Sequence, residues 1–224
     1  MKKYAIIVAG GKGTRMGANL PKQFVLLNDK PLLYYSISTF LKAYDDIQII
    51  LVLPPDYMDT GKQVIDKYFN GDKIIIAAGG STRFQSVKNG LEKVEEESIV
   101  FVHDAVRCLL STALIHRCYE KALETGSAIP VIPSRDSLRL ISPEGNETLD
   151  RNRVMLVQTP QTFESKILLP AFQVEYNDSF TDEATVVESY GYQLSLVGGE
   201  DANIKITTPE DMVIAENILN RRQT

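Results

Sequence analysis

Short apolar runs rich in β-branched residues recur along this chain, and stretches with helical spacing separate them. Tyr4 to Ala9, Ile47 to Leu53, Lys73 to Ala78, Ser98 to Val102 and Ser127 to Ile132 each stop at glycine, proline or a polar pair. Continuous apolar runs of strand length are what strands covered on both faces require, and that is the condition of parallel strands. Helical spacing covers Pro31 to about Ala43, Tyr57 to Phe69, Arg83 to Val94 and Thr112 to Glu124. On the third of these, Phe84, Val87, Leu91 and Val94 share a side. The alternation predicts a three-layer, Rossmann-like α/β fold: a mostly parallel twisted sheet with helices on both faces.

After Pro133 the rhythm breaks. Residues 137–141 alternate only partly, and Ser142-Pro143-Glu144-Gly145-Asn146 is strong turn chemistry. The reading is a β-arm excursion over about 134–152, too poor in apolar side chains for a core of its own, so the chain is expected to form a single domain. An isolated hairpin is marginal in water, which favours docking on a partner. The α/β pattern resumes with a strand at Val154 to Val157, a helix over Thr181 to Tyr190 and a strand over Tyr192 to Val197. Thr208-Pro209-Glu210-Asp211 then starts a closing helix, with a threonine cap, proline in the first turn and acids at its positive end.

Composition removes several classes. With 224 residues and 44% hydrophobic content, the chain should bury about 70% of its unfolded surface without disulfides or metal. The net charge of −5 argues against a nucleic-acid surface but not against an anionic small substrate. No apolar run reaches membrane-spanning length, and the N-terminal run is too short for a signal peptide. A cytoplasmic location is expected, with Cys108 and Cys118 as reduced packing residues.

Parallel sheets bind ligands beyond the carboxyl ends of their strands. Here those ends carry Gly10-Gly11-Lys12-Gly13, Gly79-Gly80-Ser81 and His103-Asp104, which predicts that the three segments meet. The first belongs to Ala9-Gly10-Gly11-Lys12-Gly13-Thr14-Arg15-Met16-Gly17, followed by Pro21-Lys22-Gln23. Glycines let backbone N–H groups approach phosphate closely, and Arg15 and Lys22 add cations. The frame is neither a Walker A loop nor GxGxxG, which speaks against a nicotinamide-dependent oxidoreductase. A tight turn with solvated basic residues is the plainer alternative. His103 and His116 lack zinc spacing, and His103 reads as a support for the loop carrying Asp104.

An ordered set of motifs runs from Ala9 to Asp211: AGGKGTRMG with PKQF, GGSTRFQSV, HDAVR, PSRDSLR, LDRN, TPQTF, FTDEAT and NIKITTPED. In these the chain resembles the 2-C-methyl-D-erythritol 4-phosphate cytidylyltransferase family of non-mevalonate isoprenoid biosynthesis. The resemblance implies a nucleotidyltransferase that joins CTP to a polyol phosphate and releases pyrophosphate, with Mg2+ held mainly by the CTP phosphates. It implies Arg15, Lys22 and Lys205 as catalytic cations. Ala9, Gly10, Gly11, Gly13, Gly80, Ser86 and Asp104 would line the nucleotide. Arg107, Ser137, Arg151, Thr159 and Thr181 would hold the polyol phosphate. It further implies a homodimer, with Ser137 and Arg151 reaching across the interface on the β-arm. Two positions depart from the pattern: Cys108 stands where the family usually has proline, and Ser137 where it often has threonine.

The chemistry agrees independently. A phosphate monoester is largely dianionic near neutral pH and needs no general base. Its obstacle is repulsion from a triphosphate, so such sites work by positioning and charge stabilisation. The rivals are ribitol 5-phosphate cytidylyltransferase, against which Arg151 in LDRN and the TDEAT segment lean, and a non-catalytic nucleotide-binding module.

Overall fold

The computed structural model describes residues 1–10, 20–95 and 97–223. In chain order the elements are β1 (Lys2–Val8), β2 (Leu26–Leu27), β3 (Lys30–Pro31), α1 (Leu32–Ala43), β4 (Ile47–Leu53), α2 (Met58–Tyr68), β5 (Ile74–Ala78), α3 (Arg83–Leu91), β6 (Ser98–Asp104), α4 (Thr112–Thr125) and β7 (Ser127–Pro133). The second half adds β8 (Leu138–Ser142), β9 (Gly145–Leu149), β10 (Met155–Val157), β11 (Gln161–Glu164), α5 (Ser165–Ala171), α6 (Glu183–Ser189), β12 (Leu196–Gly198) and α7 (Pro209–Gln223).

The main sheet runs β5–β4–β1–β6–β11–β7, with β10 and β12 also paired to β7. β5, β4, β1 and β6 are parallel, and β10 and β11 run antiparallel to their neighbours. From β1 the chain winds outward through β4 and β5, then returns to the other side of β1 as β6. That reversal between β1 and β6 is a topological switch point, where the carboxyl ends of the strands open a crevice. The register places Val8 beside Asp104 across it.

Alternating side chains on the strands feed two cores. Ala5, Ile7, Ile49 and Leu51 pack against Leu33, Ile37 and Phe40 of α1 and Leu114 and Ile115 of α4. Tyr4, Ile6, Ile50 and Val52 pack on the other face against Phe84 and Val87 of α3, Leu168 of α5 and Val187 of α6. A third cluster ties Ala215 and Leu219 of α7 to Leu27, Leu32 and Leu109. Cys108 packs in this cluster, and Cys118 packs in the first; burial pushes each thiol up to about 12, which makes both inert packing residues. No residue of the β8–β9 hairpin contributes to any of the three clusters, and Ile141 on it is 73% exposed.

Two expectations need correction. The strand expected over Tyr192 to Val197 is only Leu196–Gly198, because β12 pairs with Ile129, Pro130 and Val131 alone, while Tyr192 and Leu194 turn into the core. The strand β11 and helix α5 were not anticipated. β11 is short and polar, yet Gln161, Thr162 and Phe163 are buried between β6 and β7. The closing helix starts as expected: the Asp211 amide donates to Thr208 Oγ1 (3.4 Å) and the Thr208 amide to Asp211 Oδ2 (2.8 Å).

Helix α3 lies close on the sheet because Gly90 has no side chain. A Cβ there would sit 2.9 Å from Ile6 Cγ2 and 3.1 Å from Val52 Cγ2, both fully buried. Gly90→Ala is therefore expected to destabilise the fold by about 1–3 kcal/mol through overpacking, against the ~1 kcal/mol that alanine gains in an exposed helix. Thermal unfolding checks this, with a midpoint lowered by about 2–4 °C per kcal/mol at this chain length. An unchanged or raised midpoint would contradict the packing argument.

Candidate active site

The crevice between β1 and β6 is a cavity of about 250 Å³ lined by Val8, Ala9, Gly10, Lys22, Gln23, Gly80, Ser81, Thr82, Arg83, Ser86, Asp104, Val106 and Lys205. Gly10, Gly80 with Ser81, and Asp104, described residues from each of the three strand ends, thus meet, as the switch-point rule predicts. Of the residues singled out from sequence, Ala9, Gly10, Lys22, Gly80, Ser86, Asp104 and Lys205 share this cleft. Gly11, Gly13 and Arg15 lie outside the described residues.

Each wall has a local cause. Gln23 donates from Nε2 to the Ala9 carbonyl (2.6 Å), pinning the Lys22–Phe24 turn to the end of β1. The Ile206 amide donates to the Val106 carbonyl (3.0 Å), and Lys22 Nζ donates to the Ile206 carbonyl (3.3 Å). These bonds bring Lys22 and Lys205 to one rim from opposite ends of the chain. On the far wall, Ser86 Oγ accepts from the Gly80 amide (3.1 Å) and donates to the Thr82 carbonyl (2.9 Å), which shapes the Gly79–Gly80 turn. Thr82 caps α3 by accepting from the Gln85 amide (3.0 Å).

Asp104 sits among cations. Its Oδ1 accepts from Arg83 Nε (3.4 Å) and Nη2 (3.3 Å), its Oδ2 lies 2.9 Å from Lys205 Nζ, and Arg107 Nε is 3.8 Å away. Burial pushes this carboxyl up, but Arg83, Lys205 and Arg107 outweigh it and hold it well below the usual carboxylate range. Arg83 reaches past Asp104 to Glu183, bonding Oε1 through Nη1 and Oε2 through Nη2 (3.0 Å). Burial works against the Arg83 charge, yet the two carboxylates raise its pKa above the ordinary arginine value.

The remaining expected residues do not line the cleft itself. Arg107 donates to the carbonyls of Asn203 (2.9 Å) and Val157 (3.3 Å), which anchors the segment carrying Lys205. Thr159 is buried. Ser137 is exposed at the foot of the hairpin, Arg151 is exposed and donates to the Arg135 carbonyl (3.2 Å), and Thr181 is exposed just before α6. Arg83, Gln23 and Glu183 are the structural additions. Each stands inside a quoted motif, GGSTRFQSV, PKQF or FTDEAT, so the motifs held them while single-residue reasoning passed over them.

The family model for 2-C-methyl-D-erythritol 4-phosphate cytidylyltransferase matches residues 4–221. The chain belongs to this family. A cytidylyltransferase of that name from Phocaeicola vulgatus is 46% identical over 219 residues, covering 98% of this chain and all of the relative. One from Bacteroides thetaiotaomicron is 45% identical with the same coverage. The crystal structure of 4-diphosphocytidyl-2C-methyl-D-erythritol synthase from Anaerococcus prevotii superposes with a TM-score of 0.83 at 28% identity, covering 98% of each chain.

In this cytidylyltransferase the histidine beside Asp104 is a fixed strut. His103 Nε2 lies 3.3 Å from the Arg107 carbonyl, so it carries the proton, and Nδ1 accepts from Thr159 Oγ1 (2.9 Å). Thr159 Oγ1 in turn accepts from the Asp104 amide (3.1 Å). The Thr159 hydroxyl is therefore committed to holding the end of β6. Phe40 packs on the imidazole, and burial lowers the His103 pKa to about 3.

The consequence for stability has a definite sign. The unfolded histidine binds a proton below its ordinary value of 6.5, while the folded one stays neutral until about 3. Stability from this group is complete above pH 6.5 and is lost as pH falls towards 3. Between pH 7 and pH 5 the loss is about 2 kcal/mol. Denaturant unfolding at the two pH values should show it, and His103→Gln should flatten that slope while lowering stability at pH 7. A variant with an unchanged slope would overturn the assignment.

Proposed function

We propose that CTP and 2-C-methyl-D-erythritol 4-phosphate meet in the cleft between β1 and β6, where Lys22 and Lys205, with Arg15 from the glycine loop, carry the charge of the transfer. The reaction is that of the family to which the chain belongs. A phosphate oxygen of the polyol phosphate attacks the α-phosphorus of CTP. The bond from that phosphorus to the bridging oxygen breaks, and pyrophosphate leaves with the electron pair. The product is 4-diphosphocytidyl-2-C-methyl-D-erythritol.

The observation that supports this reading is the convergence of Lys22 and Lys205 on one rim of the switch-point cleft. Neither needs a base beside it, because the nucleophile is already an anion at neutral pH. Their task is to offset repulsion between two polyanions and the charge that develops at the α-phosphate. Ala9 and Gly10 give the nucleotide a wall with little side chain, and by family resemblance Gly11 and Gly13 would line it too. Gly80 and Ser86 face the base, and Asp104 takes ribose or substrate hydroxyls. Lys205 is 43% exposed on its side chain, so an arriving triphosphate competes for it on open terms and frees Asp104 Oδ2 for a hydroxyl.

Magnesium belongs to the same reading. Asp104 is the carboxylate lining the cleft, and cations engage both its oxygens. That donor set suits an ion carried by phosphate oxygens and keeping its waters, rather than an ion in a protein cage. When bound, the ion neutralises phosphate charge; the protein's own part is to orient the two substrates.

The reading extends to a homodimer. Ser137 and Arg151 flank an exposed hairpin whose Leu140 and Ile141 face solvent, and neither residue lines the cleft of its own subunit. A partner's arm would bring them to the polyol phosphate, together with Arg107 and Thr181. Among the described residues no helix is long and apolar enough to cross a membrane. Both substrates are highly charged, which supports a cytoplasmic setting.

Pyrophosphate release with each nucleoside triphosphate, against methylerythritol phosphate and ribitol 5-phosphate, tests the substrate pair; preference for ribitol phosphate would overturn it. Lys22→Ala and Arg15→Ala should each lose on the order of 10²–10³ in turnover while staying folded, by analogy with loss of an oxyanion donor. Near-wild-type turnover in either would refute its role. For the arm, Arg151→Ala and Lys22→Ala should each be nearly inactive alone. Co-expressed, they should recover roughly a quarter of wild-type activity, because half of the dimers are mixed and each mixed dimer has one intact site. No recovery would mean that the arm serves its own subunit.

A further inference from the structure

Glu183 is a carboxylate in the wrong place for a surface helix. It is the first residue of α6 and only 1% exposed, while its neighbours Ala184, Val186 and Val187 pack into the core. A buried charge is costly unless it is paired and hydrogen-bonded. Its proximity to the positive end of a short helix offsets only a small part of that cost. It does not line the cleft, so no substrate contact accounts for it. Both of its oxygens are spent on Arg83, through Nη1 and Nη2.

Arg83 is just as oddly placed, because a cation at the first position of α3 opposes that helix's dipole. Its guanidinium divides between two acids. Nη1 and Nη2 hold Glu183, and Nε and Nη2 hold Asp104 Oδ1. A planar fork gripped on one edge has little freedom on the other. The grip itself is fixed by other contacts. Gln161 clamps the start of α6, donating to Asp182 Oδ2 (2.8 Å) and accepting from the Ala184 amide (2.8 Å). Phe180 stacks on Phe84, next to Arg83, with ring centroids 5.7 Å apart.

We infer that Glu183 is a positioning residue for the transfer reaction: it locks the plane of Arg83, which holds Asp104 Oδ1 aside and turns Oδ2 alone toward Lys205 and the incoming substrate. The inference rests on the reading of Asp104 as the residue that holds a substrate hydroxyl, here one of the polyol phosphate rather than the ribose of CTP. With Arg83 released, Asp104 would keep Lys205 at 2.9 Å and Arg107 at 3.8 Å, both on Oδ2, and Oδ1 would lose the contacts that hold it aside. Misplacement of a positioning group by about 1 Å is enough to cost on the order of a hundredfold in rate.

The test is steady-state pyrophosphate release by four variants of the full chain. Glu183→Gln keeps the shape and removes the charge that orients the fork; Arg83→Lys keeps the charge and removes the fork. Each should lower kcat about tenfold to a hundredfold, with KM for CTP changed less than about threefold, because Lys22 and Lys205 are untouched. The double variant should be no worse than Arg83→Lys alone, since both changes break one device. A merely structural role would lower the unfolding temperature and leave kcat intact below it. Wild-type kcat in Glu183→Gln, a loss confined to KM for CTP, or losses that multiply in the double variant would each overturn the inference. If Glu183→Gln does not fold, Arg83→Lys decides alone, and undiminished kcat there overturns it. The fourth variant, Asp104→Asn, separates the two readings: wild-type turnover there sinks the role of Asp104 itself, whereas an impaired Asp104→Asn beside an intact Glu183→Gln sinks only the role of Glu183.

Discussion

A site for two polyanions must hold several cations close together before either substrate arrives, and like charges in a partly buried cleft repel strongly. Asp104 resolves this conflict. Arg83, Arg107 and Lys205 all face its carboxylate, and the β1–β6 register sets that carboxylate opposite Val8, at the mouth of the sheet. The bond from the Asp104 amide to Thr159, and from Thr159 to His103, holds the strand end in place. A neutral imidazole suits that task, because a charged one would add another cation to the cluster. Burial keeps it neutral across the physiological range.

The contacts of Asp104 divide by exposure. Arg83 is tied to the buried Glu183, and breaking a buried pair leaves an uncompensated charge at a cost of several kcal/mol. Lys205 is nearly half exposed, where an ion pair contributes about 1 kcal/mol or less. One oxygen of the carboxylate is thus held by a buried pair; the other meets an exposed lysine that a competing anion can draw away, with Arg107 Nε remaining 3.8 Å from it. Arg107 is anchored by the Asn203 and Val157 carbonyls, and Lys22, on a short turn at the cleft rim, donates to the Ile206 carbonyl at 3.3 Å.

The fold was legible because parallel strands covered on both faces must be apolar without interruption. Tyr4 to Ala9 and Ile47 to Leu53 announce themselves, and their glycine and proline stops mark the ends where ligands gather. The short strand Gln161–Glu164 was hidden for the converse reason. Its residues are polar, and its existence depends on β6 and β7 closing around it, while Gln161 spends its amide on the start of α6. Tyr192 and Leu194 misled in the other direction, since apolar alternation there serves packing and not pairing. At the site, strand ends and lysines were readable from local pattern and family resemblance. The Arg83–Glu183 pair was not, because its members lie 100 residues apart and each alone reads as a helix terminus. Thr159, singled out by the family resemblance, has a further task that no local pattern shows: its hydroxyl holds the strand end.

On the proposed reading, this arrangement lets a chain with a net charge of −5 bind two anions in one crevice. The overall balance is set by solvated surface acids, whose influence decays within about 8 Å at physiological ionic strength. The cleft is governed instead by groups at contact distance, where low-dielectric walls preserve their field. Cations that were merely numerous would bind triphosphate tightly and uniformly, lowering KM without raising kcat. Paired first with Asp104, they return only part of their attraction to the bound substrate. On the proposed reading, Lys205 exchanges the carboxylate for a phosphate oxygen as the triphosphate binds, so the cation is already in place when charge builds at the α-phosphorus. Pairing with Asp104 would thus temper ground-state binding of the triphosphate while leaving the cations placed for the charge of the transition state.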